Sequence, residues 1–355
     1  MGYANLNQCL ADLEAQGQLR RVDVELDPYL ELAAVQRRAF RAKAPALLFT
    51  RVKGTRFPML ANLFGTRERL RYIFRDSLRA VDAVLAAKAD PAAALRRPWR
   101  SLAALPGLVR MLPRAKRNGG APVLECNCNL ADLPRLTCWP GDGGPFITLP
   151  LVYSEDPCRP GLNASNLGMY RVQLAGNAYA SDEAGLHYQI HRGIGAHHAN
   201  AIAGGVELPV HVYVGGPPAL SVAAVMPLPE GLSELRFAGL LGGRRVELAR
   251  APELRLPVLA EADFCISGRL VPGLKPEGPF GDHVGYYSLR HDFPVLKVDA
   301  VYHRRDAVWP FTAVGRPPQE DTVFGDFIHE LTAPLVPQVF QGVREVHAVD
   351  VAGVH

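Results

Sequence analysis

The chain of 355 residues has no apolar run that reaches the roughly 18 residues needed to cross a bilayer, which excludes a helical span and leaves a lipid-like substrate open. Neither sign of charge dominates: 39 Lys and Arg stand against 35 Asp and Glu, net +4, too little to argue for a nucleic-acid partner. The one basic cluster, "RMLPRAKR" from Arg110 to Arg117, reads as a solvated face or linker, with a phosphate or membrane patch as the alternative. Cysteine is scarce. Cys9, Cys126, Cys128, Cys138, Cys158 and Cys265 are irregularly spaced, which argues against a disulfide framework and for reduced thiols in a cytoplasmic protein. Cys126-x-Cys128 with Cys138 lacks the paired C-x2-C spacing of a zinc module.

Several catalytic signatures are missing as well. "GLLGGRR" (239–245) is glycine-rich but has no Lys-Ser/Thr of a P-loop, and no G-x-G-x-x-G opens a helix after a strand. G-x-S-x-G and H-E-x-x-H do not occur, so a hydrolase triad or a zincin is disfavoured. "MGYANL" is not an acylation signal.

What is present is a change of texture along the chain. Residues 4–17 and 28–42 carry helical periodicity, and "PALLFTRV" and "FPMLANLF" are short apolar runs between turn signals, a small α/β beginning. From 66 to about 118 the chain is rich in Ala, Leu and Arg, with breaks at Pro91, Pro98, Pro106 and Pro113, and reads as short connecting helices. From about 121 to 320 short β-type runs separated by Gly and Pro predict a barrel or sandwich, interrupted by helices near 193–203 and 233–241. "DTVFGDFIHELTAPLVPQVF" then reads as helix and "VREVHAVDVAGVH" as a strand. This gives an α+β protein in three parts: 1–118, 119–322 and 323–355.

In "NLGMYRVQL" (166–174) Tyr170, Val172 and Leu174 alternate with Arg171 and Gln173, which predicts one strand that presents a lone arginine on its polar face. "KPEGPFGDHVGYYS" (275–288) holds Glu277 and Asp282 on one tight loop. Two such carboxylates with Arg171 opposite would form an acid–arginine–acid network able to hold and deliver one proton. The alternative is that both acids only cap turns and Arg171 meets a surface acid. In "HYQIHRGIGAHHAN", His197 and His198 have the look of a helix surface, whereas His191 precedes Arg192-Gly193, suited to present a ligand atom and then a guanidinium and free amides to a phosphate. Asn166, His191 and Glu234 are of the types that suit Mn2+ or a similar ion bridged to phosphate, and an acid at Glu234 also suits a helix start.

Seven segments, "LFGT", "LTCWPGDGGPFIT", "NLGMYR", "HRG", "LSELRFAGLLGG", "PEGPFGDHVGYY" and "VGRPPQED", follow one another in an order that resembles the UbiD-type decarboxylases, above all the branch containing 3-octaprenyl-4-hydroxybenzoate carboxy-lyase of ubiquinone biosynthesis. The resemblance covers essentially the whole chain. It implies a small N-terminal α/β domain, a central split β-barrel like those of flavin reductases, and a C-terminal α/β domain that is largely absent here, because relatives continue well past His355.

It also implies prenylated FMN held through its phosphate by Mn2+ on Asn166, His191 and Glu234, with K+ nearby. The flavin contacts implied are Met169, Tyr170, Arg171, His187, Tyr188, Gln189, Arg192 and Gly193. Glu277, Arg171 and Asp282 take the catalytic positions, Asp282 as proton donor, while the cofactor serves as electron sink. The implied reaction is reversible non-oxidative decarboxylation of an aromatic or α,β-unsaturated acid, with a 4-hydroxybenzoate derivative first among substrates and carboxylation at high CO2 as its reverse. The partners implied are a flavin prenyltransferase that supplies the cofactor, further copies of the full-length chain, and the membrane surface if the substrate is prenylated. A truncated flavin-binding subunit without turnover is the alternative. The segment between Arg171 and His191 departs from the ubiquinone enzyme in being longer and in carrying His187-Tyr188-Gln189 for Arg-Trp-Leu.

Overall fold

The computed structural model describes residues 2–89, 105–116, 120–189, 193–228, 232–333, 336–339 and 342–346. Helix α1 (Leu6–Ala15) starts where the Asn5 side chain accepts the Gln8 amide at 3.0 Å, and Leu6, Cys9, Leu10 and Leu13 line its buried face at helical spacing. Strand β1 (Leu19–Val22), helix α2 (Glu31–Arg41), and strands β2 (Ala46–Phe49) and β3 (Met59–Ala61) follow. Helix α3 (Arg67–Ile73) is capped by Thr66, and α4 (Leu78–Ala89) and α5 (Leu105–Arg110) complete the connector. Pro106 lies inside the first turn of α5, where its missing N–H costs nothing, so it does not break that helix. Pro91 and Pro98 lie outside the described residues.

Strand β4 (Arg114–Ala115) and Lys116 directly after it supply two of the four basic residues of that cluster, and both are paired. Arg114 pairs with Glu247, and Lys116 pairs with Glu247 at 3.3 Å and also with Glu261. Arg117 lies outside the described residues.

The central unit then runs through β5 (Cys126–Cys128), β6 (Phe146–Ile147), β7 (Leu151–Glu155), β8 (Ser165–Gly168), β9 (Val172–Gln173), β10 (Glu183–Leu186), α6 (Gly193–Ala203), β11 (Leu208–Val214), α7 (Pro218–Ala223) and α8 (Glu234–Leu241). After β12 (Glu247–Ala249) and β13 (Val258–Leu259) come the two long strands β14 (Phe264–Glu277) and β15 (His291–His303). β16 (Trp309–Phe311), α9 (Glu320–Thr332) and α10 (Val336–Val339) end the described elements, and residues 347–355 of the expected final strand lie outside them.

The large sheet has the order β6-β9-β10-β15-β14-β11-β7-β8, with β5 added on β15. β8 and β9 are consecutive in the chain yet stand six places apart in that order. Flat, six spacings would put them about 29 Å apart, whereas the four steps from Gly168 to Val172 reach only about 14 Å. The sheet is therefore curled into a half-barrel that brings its two ends within reach of one another, and Met169-Tyr170-Arg171 is the link across the seam between them. This corrects the expectation of one continuous strand through "MYRVQL": alternation is a local signal, and the seam is a non-local one.

The N-terminal sheet has the order β1-β2-β3-β16, so its fourth strand comes from the far side of the barrel in sequence. β16 pairs parallel to β3, and α9 docks beside them, Phe64 against Phe324 with ring centroids 4.5 Å apart. Two further corrections concern histidines: His197 is buried with Nδ1 2.9 Å from Ser154 Oγ, and His198 meets the Tyr188 hydroxyl, so neither lies free on a helix surface. Among the described residues no helix is long and apolar enough to cross a membrane, and all six cysteines are free thiols.

Candidate active site at the barrel seam

Arg171 leaves the seam link toward the end of β14. Its Nε donates to Glu277 Oε1 at 2.8 Å and its Nη2 to Glu277 Oε2 at 2.7 Å, the bidentate geometry in which a guanidinium matches a carboxylate. Nη2 also donates to Ser288 Oγ at 3.1 Å, and the guanidinium carbon lies 4.8 Å from the Phe280 ring centre. Nη1 makes no hydrogen bond among the described residues, and the side chain keeps 16% of its surface exposed.

The Glu277 side chain is 0% exposed. Burial pushes its carboxyl pKa up, but the bonds from His187 and Arg171 and their charges outweigh burial and hold it below the usual value. The third member of this cluster is His187, with Nδ1 3.2 Å from Glu277 Oε2.

Asp282 is placed differently. Its Oδ1 accepts the amides of Val284, Gly285 and Tyr286 at 2.9, 3.1 and 3.3 Å, so that oxygen caps its own turn. Oδ2 takes part in none of these bonds, and Arg171 gives its described bonds to Glu277 and Ser288. Of the expected acid–arginine–acid network, the structure joins Glu277 with Arg171. Asp282 stands at the next turn of the same loop.

Sequence reasoning passed over Asp142, in the turn cluster "WPGDGG". Its Oδ2 accepts the Trp139 amide at 2.9 Å and the Cys138 amide at 3.2 Å, and its Oδ1 accepts the Gly281 amide at 2.8 Å. This carboxylate ties the Trp139 turn to the residue before Asp282. Burial raises its pKa, against the three amides and the field of Arg171. An acid between glycines was the available signal. Gln173 was missed in the same way: fully buried, it accepts the Gly278 amide at 2.9 Å and donates to Gly143 O at 3.0 Å.

Two of the three expected metal ligands, Asn166 and Glu234, lie along the same seam. Asn166, in β8, is 8% exposed; its Oδ1 accepts the Tyr170 hydroxyl at 3.2 Å, and its Nδ2 is buried without a partner among the described residues. Glu234 heads α8 and accepts the Leu167 amide at 3.3 Å, which brings it beside Asn166, and burial raises its carboxyl pKa. The backbone of Gly193 is pressed on the same amide, so that a Cβ there would come within 2.2 Å of Asn166 Oδ1. His191 and Arg192 lie outside the described residues. Among those described, no three His, Cys, Asp or Glu side chains gather, and Glu234 is the one member of the expected set of those types within them.

Of the other expected flavin contacts, Met169 donates its amide to Ala224 O at 3.2 Å, and Tyr170 lies edge-on to Tyr188, ring centres 6.4 Å apart. Tyr188 is buried and Gln189 exposed.

Comparison with known proteins then places the chain. Residues 115–317 match the family model described as the 3-octaprenyl-4-hydroxybenzoate carboxy-lyase Rift-related domain, and residues 10–88 match the N-terminal domain of the same enzyme family. The chain belongs to the UbiD family.

A relative from Chlamydia pneumoniae, named as a subunit of 4-hydroxybenzoate decarboxylase, is 40% identical over 99% of this chain and 59% of its own length. The UbiD-class enzyme HmfF from Pelotomaculum thermopropionicum, solved with FMN, is 29% identical with a TM-score of 0.80, covering 98% of this chain and 73% of that one. An evolved dimeric form of HmfF, solved with prFMN, is 28% identical with a TM-score of 0.81, covering 99% and 77%. The chain spans about three fifths of the length of the curated relatives it matches.

Proposed function

We propose that this chain carries the flavin and carboxylate site of a non-oxidative carboxy-lyase acting on an aromatic or α,β-unsaturated acid, a 4-hydroxybenzoate derivative first among candidates. The observation that carries the reading is Arg171. It is fixed by Glu277 through two of its nitrogens, it retains an Nη1 with no hydrogen bond among the described residues, and it stands where the barrel closes. A guanidinium so held is pre-oriented for a substrate carboxylate. Membership of the UbiD family and the flavin-bound HmfF structures support the same reading.

Prenylated FMN, when bound, supplies the electron sink that decarboxylation requires. Asn166 and Glu234, with His191, would hold Mn2+ or a similar ion against its phosphate, with K+ nearby. The Asn166 amide nitrogen, without a partner among the described residues, the half-buried Glu234 carboxylate and the close Gly193 backbone fit such a group. Met169, Tyr170, Tyr188, Gln189, Arg192 and Gly193 are the proposed flavin contacts.

Glu277, held ionised, serves as the anchor of Arg171 and is a poor acid. The proton that replaces CO2 on the product then comes from Asp282, whose Oδ2 is outside the turn cap. Assembly with further copies into an oligomer and a cytoplasmic setting belong to the same proposal, as does a role within a larger decarboxylase, which the name of the Chlamydia pneumoniae relative supports.

The test is co-production with a flavin prenyltransferase that makes prenyl-FMN, followed by absorbance, intact mass and CO2 release from a panel of aromatic acids. Bound prenyl-FMN with CO2 release is expected. Asp282→Asn should abolish turnover with flavin retained, whereas Asn166→Ala and Glu234→Ala should lose metal and flavin together. Equal flavin loss in all three undoes the division of roles, and a folded protein that takes up no flavin overturns the reading.

A further inference from the structure

We propose that His187 is a positioning residue: its Nδ1–H and the Arg171 guanidinium together fix the buried Glu277 carboxylate, and through it the direction in which Arg171 faces the cleft. The inference rests on the reading of this site as a decarboxylase and gives His187 a different task from the flavin contact implied by its place in the sequence.

Glu277 Oε2 is shared. It accepts Arg171 Nη2 at 2.7 Å and lies 3.2 Å from His187 Nδ1, while Oε1 takes Arg171 Nε. An ionised carboxylate only accepts hydrogen bonds, so the partner fixes the proton on Nδ1 of the imidazole. The ring is held from its face by Phe293, centroids 4.0 Å apart and planes at 31°. The backbone holds it too: the His187 amide donates to Arg171 O at 3.2 Å, continuing the β9–β10 pairing in which Leu186 faces Val172. Register thus places His187 and Arg171 side by side across two strands, both reaching the one buried acid.

Among the described residues, Arg171 and His187 are the groups that donate to the Glu277 side chain. Nearby, the Tyr179 hydroxyl is buried without a hydrogen-bond partner among the described residues and kept protonated, first by burial and then by the charge of Glu277. The His187 side chain remains 29% exposed, against 16% for Arg171. Without it, Glu277 would keep the Arg171 bonds alone, with Oε2 less well satisfied in a fully buried position.

The test reads Glu277 directly. In apo protein labelled with 13Cδ-glutamate, and with the resonance assigned by Glu277→Gln, His187→Ala should raise the Glu277 titration midpoint by about one pH unit or more. In the flavin-loaded protein the same variant should lower kcat/KM about 10- to 100-fold, with flavin content held. His187→Asn, whose Nδ2 stands near the place of Nδ1, should recover most of both effects. His187→Phe keeps the packing on Phe293 without the donor and should behave as His187→Ala; it also serves if the alanine variant fails to fold. An unchanged Glu277 midpoint overturns the inference, and flavin loss at an unchanged midpoint returns His187 to the role of a flavin contact. A wild-type protein that takes up no flavin defeats the proposed function, while the apo titration still decides this point.

Discussion

Arg171→Ala removes three hydrogen bonds and one charge from a site where the remaining carboxylate is 0% exposed and has only His187 left among its described donors. Breaking a buried ion pair from one side costs about 3–5 kcal/mol, because the surviving charge is left uncompensated. For a chain of 355 residues melting as one unit, the unfolding entropy is about 0.75 kcal/mol per kelvin, so the loss corresponds to about 4–7 °C in Tm. The sign of its pH dependence follows from Glu277. In the wild type its pKa is lowered, so its stabilising contribution is present above the unfolded value of about 4.3 and is lost as pH falls through the folded value. In Arg171→Ala the pKa rises, so the deficit should shrink toward pH 4.5 and widen toward pH 7.5. Arg171→Ala/Glu277→Gln removes both charges and should return at least half of the loss. Calorimetry of the apo proteins at the two pH values checks this. A Tm change below about 1 °C, or a deficit equal at both pH values, would refute the picture of a buried charge held by its partner.

Glu320, fully buried at the head of α9, accepts the Phe64 amide at 2.7 Å and the Gln36 side chain at 3.2 Å, and burial pushes its pKa to about 7. The folded state therefore keeps a proton that the unfolded chain releases from about pH 4.5, and stability falls as pH rises to 7, by up to roughly 3 kcal/mol. Glu320→Gln should flatten that part of the slope in urea melts at pH 5 and pH 8, while Asp263, also pushed to about 7 by burial, keeps its own share; an unchanged slope counts against the account. Gly193→Ala would bring a methyl within 2.2 Å of Asn166 Oδ1. On the proposed metal site, it should weaken Mn2+ binding about tenfold or more with Tm within about 2 °C of wild type, read by metal analysis and melting; full retention of metal would remove Asn166 from that proposal.

The helices at Leu6–Ala15, Gly193–Ala203 and Glu234–Leu241 were legible because each carries its own periodicity, and two of them their own cap, Asn5 and Ser233. The break at Met169–Arg171 was not, since apolar alternation runs straight through it and only the pairing of β8 and β9 with opposite ends of the sheet interrupts it. Trp309–Phe311 is three residues with a central proline, too short to announce that it belongs to a sheet begun before residue 62. In the site, the tight 275–288 loop and the lone arginine of 166–174 mark Glu277 and Arg171 as chemistry, but nothing local shows their contact. Whether Asp282 faced the arginine or its own turn was a matter of side-chain direction, which residue spacing does not specify. His187 stands in a histidine-rich segment, but its partner is 90 residues away and is brought to it by the β10–β15 and β14–β15 pairings.

The parallel pairing of Trp309–Phe311 with Met59–Ala61 also bears on how the chain is made. As synthesis proceeds from the N-terminus, β1, β2 and β3 can associate early, but the strand that covers β3 emerges roughly 250 residues later. At about 5–20 residues per second that interval lasts on the order of 12–50 s. Throughout it Met59, Leu60 and Ala61 form an open apolar edge whose backbone groups await a partner, the kind of edge that seeds aggregation. Until β16 pairs with it, this edge is the face a chaperone on the nascent chain would have to cover, and that pairing removes it.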